Sequence, residues 1–235
     1  MLNRQAKNDD SSSRYNKRFM GRKKPRQPKT PVPAPPSPSP RKPRTWTKHA
    51  FAAAALCVLT LLVYSNSLHA GFVIDNRFLI LDDPRVHKAS TDNLSSIFLH
   101  SYWWPTNETD LYRPLTTLSY LFNYSVLGNA DHPEGYHWIN IFLHFVNVLL
   151  VYALAIRLLR KFWLASFIAA LWAVHPVLTE SVTNIIGRAD LLAAFAVMSG
   201  FLMYLKSGES AGWRRSAWLF CVSICAYLEP LHPCL

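Results

Sequence analysis

Long uncharged apolar runs, broken by short polar interruptions, occupy most of the chain beyond residue 49. Residues 50–64 read "AFAAAALCVLTLLVY", and small polar residues carry the run on to Leu68. With Trp46 and Lys48 ahead of it, a stretch of about 20 residues is available, enough for one helical crossing of a hydrocarbon core about 30 Å thick. Further runs follow at 138–159, 162–178, 191–205 and 213–228. At about 1.5 Å per residue the last three are short for a bilayer, so their polar flanks belong near or inside its boundary. The pattern predicts an all-α, multi-pass membrane bundle of about five transmembrane helices, the first at 48–69 and the others on these runs. A cleaved signal peptide does not fit the first run. Nearly 50 residues precede it, and Leu68-His69-Ala70 is a poor small-x-small cleavage site.

The run at 138–159 is not uniformly apolar. His137, Asn140, His144 and Asn147 recur at intervals of three, four and three, so they share one helix face. Polar groups at membrane depth are costly and face a bundle interior or a cavity. Two readings follow: hydrogen bonds that pack helices together, or the wall of a polar cavity.

Charge sets the orientation. Lys and Arg total 25 against 14 Asp and Glu, a net +11, but the excess is not evenly spread. Residues 1–49 carry net +12, residues 70–136 net −4 and the remainder net +3. The segment "GRKKPRQPKTPVPAPPSPSPRKPR" at 21–44 is basic and rich in Pro and Ser, with too few apolar residues to offset the entropy of ordering. Residues 1–47 therefore read as a disordered topogenic tail. No aromatic or folded reader accompanies its charges, so no nucleic-acid partner is expected. If the tail is cytoplasmic, the basic turns at Arg157–Lys161 and at Lys206, Arg214 and Arg215 fall on its side, as the positive-inside rule requires. The loop 70–137 and the segment 179–190 then share the opposite side.

That outer loop carries candidate chemistry. Asp75 follows the first span closely in "GFVIDNRFLILDDPRVH", with Asp82 and Asp83 a short element later. A carboxylate held at the membrane surface can act as general base on an acceptor hydroxyl; alternatively, Asp82-Asp83-Pro84 is a turn and Asp75 an ordinary loop carboxylate. "STDNLSSIFLH" predicts a short helix capped by Ser90 or Thr91, with Asp92 in its first turn and an interfacial face of Leu94, Ile97 and Phe98. Arg113 precedes Pro114 and an aromatic run. Its planar fork suits a phosphate, or it snorkels. Asn93, Asn107 and Asn123 each open an N-x-Ser/Thr glycosylation pattern.

The second outer segment, "HPVLTESVTNIIGRAD", separates two apolar runs. Pro176 ends or kinks the preceding helix, Gly187 suits a left-handed cap, and Asp190 falls in the first turn of the next helix. His175, Glu180 and Arg188 are left as candidate walls of a site. Cys57, Cys221, Cys225 and Cys234 lie in or beside apolar runs and read as packing residues.

"HPVLTESVTNIIGRADLLA", with "GFVIDN", "LYRPLTTLSYLFNY" and "GYHWINIFLHFVNVLLVYAL", resembles the membrane half of the transmembrane and tetratricopeptide-repeat O-mannosyltransferases and their bacterial relatives, in the family's order from about Ser65 to Leu205. The resemblance implies a GT-C-type bundle that transfers a sugar from a polyprenyl-phosphate donor to a hydroxyl on a protein or glycan. The membrane would be the bacterial inner membrane, or the endoplasmic reticulum in a eukaryote. By position Asp75 matches the first Asp of the family's Asp-Asp pair, and Asn76 stands at the second, which keeps Asp82 and Asp83 as alternative bases. Arg113 or Arg188 would balance the leaving phosphate, and His137, His144, His175, Glu180 and Asp190 would line the site. Because Arg can offset that charge, the chemistry requires no metal. The family adds more spans and then 34-residue repeats, whereas this chain closes on "CAYLEPLHPCL", which suggests an N-terminal fragment. The rival class is a non-catalytic membrane protein, a transporter subunit or assembly scaffold whose polar face lines a path or binds a partner.

Overall fold

Helices form where the apolar runs predict them, and their ends are set by local chemistry. A computed structural model of the chain describes residues 45–106, 111–208 and 212–228. The tail, Asn107 and the closing residues 229–235 lie outside these. Among the described residues the structure is helical throughout, with no strand. Helix α1 (Thr45–Tyr64) continues through a tight turn, Ser65–His69. The outer loop then builds short elements, including α2 (Thr91–Leu99) and α3 (Pro114–Leu121). Helix α4 (Glu134–Leu159) is the longest; α5 (Phe162–Ala173), α6 (Arg188–Gly208) and α7 (Trp213–Leu228) complete the order.

Three stretches are long and apolar enough to cross a membrane: Trp46–His69, Glu134–Leu159 and Ile185–Gly208. A fourth qualifies only if α5 and the segment Pro176–Thr183, bent by 47°, count as one span. The bend falls at Val174 and His175, where Pro176 removes an N–H and disfavours helix in the residue before it. Helix α7 has 16 residues, which at about 1.5 Å each falls short of a full crossing. The described residues thus supply three membrane-crossing helices, or four, against the five expected from the sequence. Around them Phe51, Leu62, Phe142 and Phe167 point outward and stay exposed, as lipid-facing residues do.

Two packing zones hold the bundle. Ala165, Ala169 and Ala173 recur every fourth residue on α5, all fully buried, against Val148, Tyr152 and Ala155 of α4 and Ala52 and Leu56 of α1. Small side chains at that spacing let the helix backbones approach closely, the usual means of association where lipid offers no hydrophobic drive. The second zone lies at the outer end. Leu79, Ile80, Val86, Ile97, Tyr102, Tyr120, Leu121, Tyr136 and Ile185 form one cluster that seats the outer loop on the ends of α4 and α6.

Local signals explain the loop elements. Ser90 caps α2 by accepting the Asn93 N–H at 3.2 Å, with Asp92 in the first turn. Only Ile97 of its apolar face is buried in the cluster; Leu94 and Phe98 remain exposed. Arg160, with φ of 55°, closes α4 in the left-handed region and turns the chain directly into α5.

Candidate functional site

The polar face of α4 is wholly buried, and each of its four side chains meets a backbone carbonyl of another segment. His137 Nε2 lies 3.1 Å from Ala70 O, at the end of the first span. Asn140 Nδ2 donates to Asn184 O at 2.9 Å, His144 Nε2 meets Ala173 O at 3.1 Å where α5 ends, and Asn147 Nδ2 donates to Leu191 O at 2.8 Å. Helix and turn ends expose carbonyls without intrahelical partners, and in an apolar setting leaving one unmade costs several kcal/mol. All four contacts fasten α4 to neighbouring segments, the first of the two readings.

Arg188 sits at the centre of the outer end, fully buried. Its Nε donates to Asn140 Oδ1 at 2.8 Å, Nη1 to Asn123 Oδ1 at 2.6 Å and to Ser119 O and Oγ at 3.3 Å, and Nη2 to Tyr136 O at 3.0 Å. The guanidinium also lies over the Tyr120 and Tyr136 rings, 5.0 and 5.7 Å from their centroids. All of these acceptors are neutral. Arg188 thus joins α3, α4, α6 and the wide helical turn Phe122–Val126, with its side chain fully buried. Asn123, read from sequence as a glycosylation acceptor, is fully buried in this contact. Asn93 Nδ2 is likewise engaged, donating to Pro84 O at 3.1 Å and Lys88 O at 2.9 Å.

The three outer-loop aspartates part company. Asp83 is fully buried: its Oδ1 caps the turn Pro84–His87 by accepting the Arg85 N–H at 2.9 Å, and its oxygens take the Arg85 fork at 2.8–3.1 Å. Arg85 spends its remaining donors on the carbonyls of Ser101, Tyr102 and Trp104 and stacks over the Trp104 ring. This ion pair staples the loop, and it leaves Asp83 no lone pair turned toward solvent for base chemistry. Asp82 and Asp75 are exposed.

Asp75 lies in the turn Ile74–Asn76, and Asn76 fixes that turn's place. Asn76 is buried, and its Oδ1 accepts the Ile186 N–H at 3.3 Å, bringing the first outer loop against the second outer segment. There Ser181 Oγ donates to Asp190 Oδ2 at 3.2 Å, and Glu180 is exposed. His175 is exposed and accepts the Val177 N–H on Nδ1 at 3.3 Å, acting as a cap. Gly187 does not adopt the left-handed cap conformation expected of it; the left-handed glycines are Gly128 and Gly212. Glycine is required there for space, because a Cβ would run into the backbone of Ser181.

Arg113 is half-buried and lies over the Tyr102 ring at 5.7 Å, keeping an accessible edge. Below it the Tyr102 and Tyr120 hydroxyls are 3.3 Å apart, and burial pushes both phenols above their ordinary range, so they stay neutral donors. Among the described residues no group of three His, Cys, Asp or Glu side chains is placed to hold a metal. Asp75, Glu180 and Asp190 are exposed and Arg113 half-buried, whereas Arg188, His137 and His144 are buried. Arg85 and Ser119 carry no sequence reading above, and Asn76 and Asn123, named there for other reasons, are buried anchors here. Their signal was present only as polar residues inside apolar neighbourhoods, since the partners lie 65 residues or more away for Asn123, Ser119 and Asn76.

Comparison with known proteins decides the ancestry of this arrangement. The chain is 36% identical over 192 residues to protein O-mannosyl-transferase Tmtc3 of Drosophila melanogaster, covering 70% of this chain and 20% of that one. It is 37% identical over 148 residues to mouse TMTC3 (61% of this chain, 16% of the relative) and 34% identical over 163 residues to human TMTC1 (67% and 18%). The chain belongs to the transmembrane and tetratricopeptide-repeat O-mannosyltransferase family. It spans about a fifth of the length of the relatives named here. No family model matches it, and no solved structure matches significantly.

Proposed function

We propose that the outer face formed by the turn Ile74–Asn76, Arg113 and the segment from His175 to Asp190 is the acceptor side of a membrane O-mannosyltransferase. In this reading a polyprenyl-phosphate mannose supplies the sugar, and a hydroxyl on a protein or glycan receives it. The acceptor O–H gives its proton to Asp75, the acceptor oxygen forms the new bond to the sugar C1, and the C1–O bond to phosphate breaks with inversion. The phosphate leaves with the bonding pair, and Arg113, a half-buried cation of the outer loop, donates hydrogen bonds to it. Asp82, exposed in the same loop, is the alternative base. Glu180, Asp190 and His175 line the acceptor approach, and the Arg188 and α4 contacts keep the parts in register.

The observation that carries this reading is the Asn76 to Ile186 hydrogen bond. It sets the exposed carboxylate of Asp75 against the second outer segment while its neighbour is buried as the anchor. With α5 and Pro176–Thr183 as one membrane segment and α7 as another, this part of the chain would carry the five expected from the sequence. Animal relatives favour the endoplasmic reticulum membrane, with this face in the lumen. Mannose transfer in membranes carrying the protein tests the proposal. Asp75→Asn should lower transfer by about 100-fold or more, the range for a general base, with unchanged membrane insertion. Full transfer by Asp75→Asn defeats the assignment of the base, and Asp82→Asn then identifies its alternative. No transfer by a full-length relative that carries this segment returns the scaffold or transporter reading.

A further inference from the structure

The end of the bundle opposite the candidate site is built differently, and the proposed reaction uses none of it. Helix α4 ends at Arg160 in the left-handed conformation, so Arg160 and Lys161 form a two-residue reversal into α5, both exposed. The start of α1 is fastened against this turn. His49 Nδ1 lies 2.7 Å from the Tyr152 hydroxyl of α4, and its ring meets the Phe162 ring of α5 edge-on with centroids 5.8 Å apart. That contact brings the exposed Lys48 to the same corner. Two tryptophans flank it, Trp46 on α1 at 69% exposure and Trp163 on α5 at 81%.

Two features distinguish this corner from an ordinary solvated surface. Among the described residues, all the carboxylate side chains, from Asp75 to Asp190, belong to the outer loop, the start of α4 or the second outer segment, at the other end. Asp9, Asp10, Glu108, Asp110, Glu209 and Glu229 lie outside the described residues. Lys48, Arg160 and Lys161 therefore stand on neighbouring helix ends that carry no described carboxylate. Exposed Trp beside exposed Lys and Arg is also the composition of a headgroup layer, where the indole takes the boundary and the cations reach phosphate.

We propose that the α1–α4–α5 corner, Lys48 with Arg160 and Lys161 between Trp46 and Trp163, binds the headgroup of an anionic phospholipid from the leaflet on that side. The basic tail would add a diffuse attraction, whereas the corner supplies a fixed site on rigid helix ends. The full chain, purified and placed in nanodiscs of phosphatidylcholine with a minority of phosphatidylglycerol, gives the test: spin-labelled versions of the two lipids are compared for association with the protein. Phosphatidylglycerol should be preferred. Arg160→Gln with Lys161→Gln should cut the preference by about fivefold or more, since each Lys or Arg near such headgroups is worth roughly that factor. Lys48→Gln alone should cut it less, and about 1 M salt should weaken it throughout. All three side chains are exposed, so unchanged thermal unfolding confirms that the variants are folded. Equal association of the two lipids with the unsubstituted chain overturns the proposal. So does a preference that the double variant retains in full, which would place the binding in the tail.

Discussion

Arg188 offers the sharpest quantitative test of how this bundle is held. Replacing it with Lys keeps the charge and most of the aliphatic stem but exchanges a planar fork of five donors for three donors on one atom. In the structure the strong contacts leave the guanidinium in three directions, to Asn140 at 2.8 Å, Asn123 at 2.6 Å and Tyr136 O at 3.0 Å. One ammonium nitrogen can reach one of these groups well, and a second only by displacing the first. Two hydrogen bonds to a buried charge are lost, at about 1.5–3 kcal/mol each, so Arg188→Lys should destabilise the outer end by roughly 3–6 kcal/mol. That is a large fraction of the stability of a typical domain. The effect should be local. Ser119 and Asn123 lie on the outer loop, so trypsin should cut that loop faster in the variant, at Lys88–Ala89 for example, while the α4–α5 seam persists. Thermal unfolding of the full chain in detergent, followed with limited proteolysis, measures both. If Arg188→Lys unfolds and is cleaved as the parent is, the guanidinium network does not hold the loop and the reasoning fails.

Three further outcomes follow. Asp83→Asn removes the partner of a buried guanidinium and should cost about 3–5 kcal/mol, read as the same loss of loop protection without loss of the spans. Gly187→Ala should destabilise by about 1–3 kcal/mol, because the new methyl must displace the Ser181 backbone, whereas Gly128→Ala meets no neighbour and bears only its backbone strain. Conservative replacement of Asp75 by Glu should leave unfolding unchanged, since Asp75 is exposed, and should retain part of the mannose transfer that Asp75→Asn loses.

Periodicity made the helices legible, and it placed His137, Asn140, His144 and Asn147 on one buried face. It could not say what that face meets. The partners are main-chain carbonyls of Ala70, Asn184, Ala173 and Leu191, and a carbonyl leaves no mark on residue type. The same blindness explains Gly187. A glycine near a helix start reads as a cap from local rules, but its reason is the approach of a backbone six residues earlier. Arg188 stands out in the sequence only as a candidate wall of a site and, by resemblance, a phosphate partner. Its neutral acceptors Asn123 and Ser119 were not legible, because they come from a loop whose path depends on the tertiary fold. Asp83 and Arg85, only two residues apart, were legible in principle. A carboxylate followed at that spacing by Arg, across Pro84, is a cap and an ion pair in one short turn.

The fastening of α4 to main-chain carbonyls also bears on how such a protein can drift. A side chain that bonds another side chain ties the two positions together, so that one change selects for another. His137, His144 and Asn147 demand only that a backbone pass within reach, whichever residues carry it, while Asn140 also accepts from the Arg188 side chain. Each main-chain fastening is then a constraint on one position alone. Changes at Ala70, Asn184 or Leu191 that preserve the chain path should be tolerated, and pairwise covariation would carry no trace of the main-chain contacts that seat this helix.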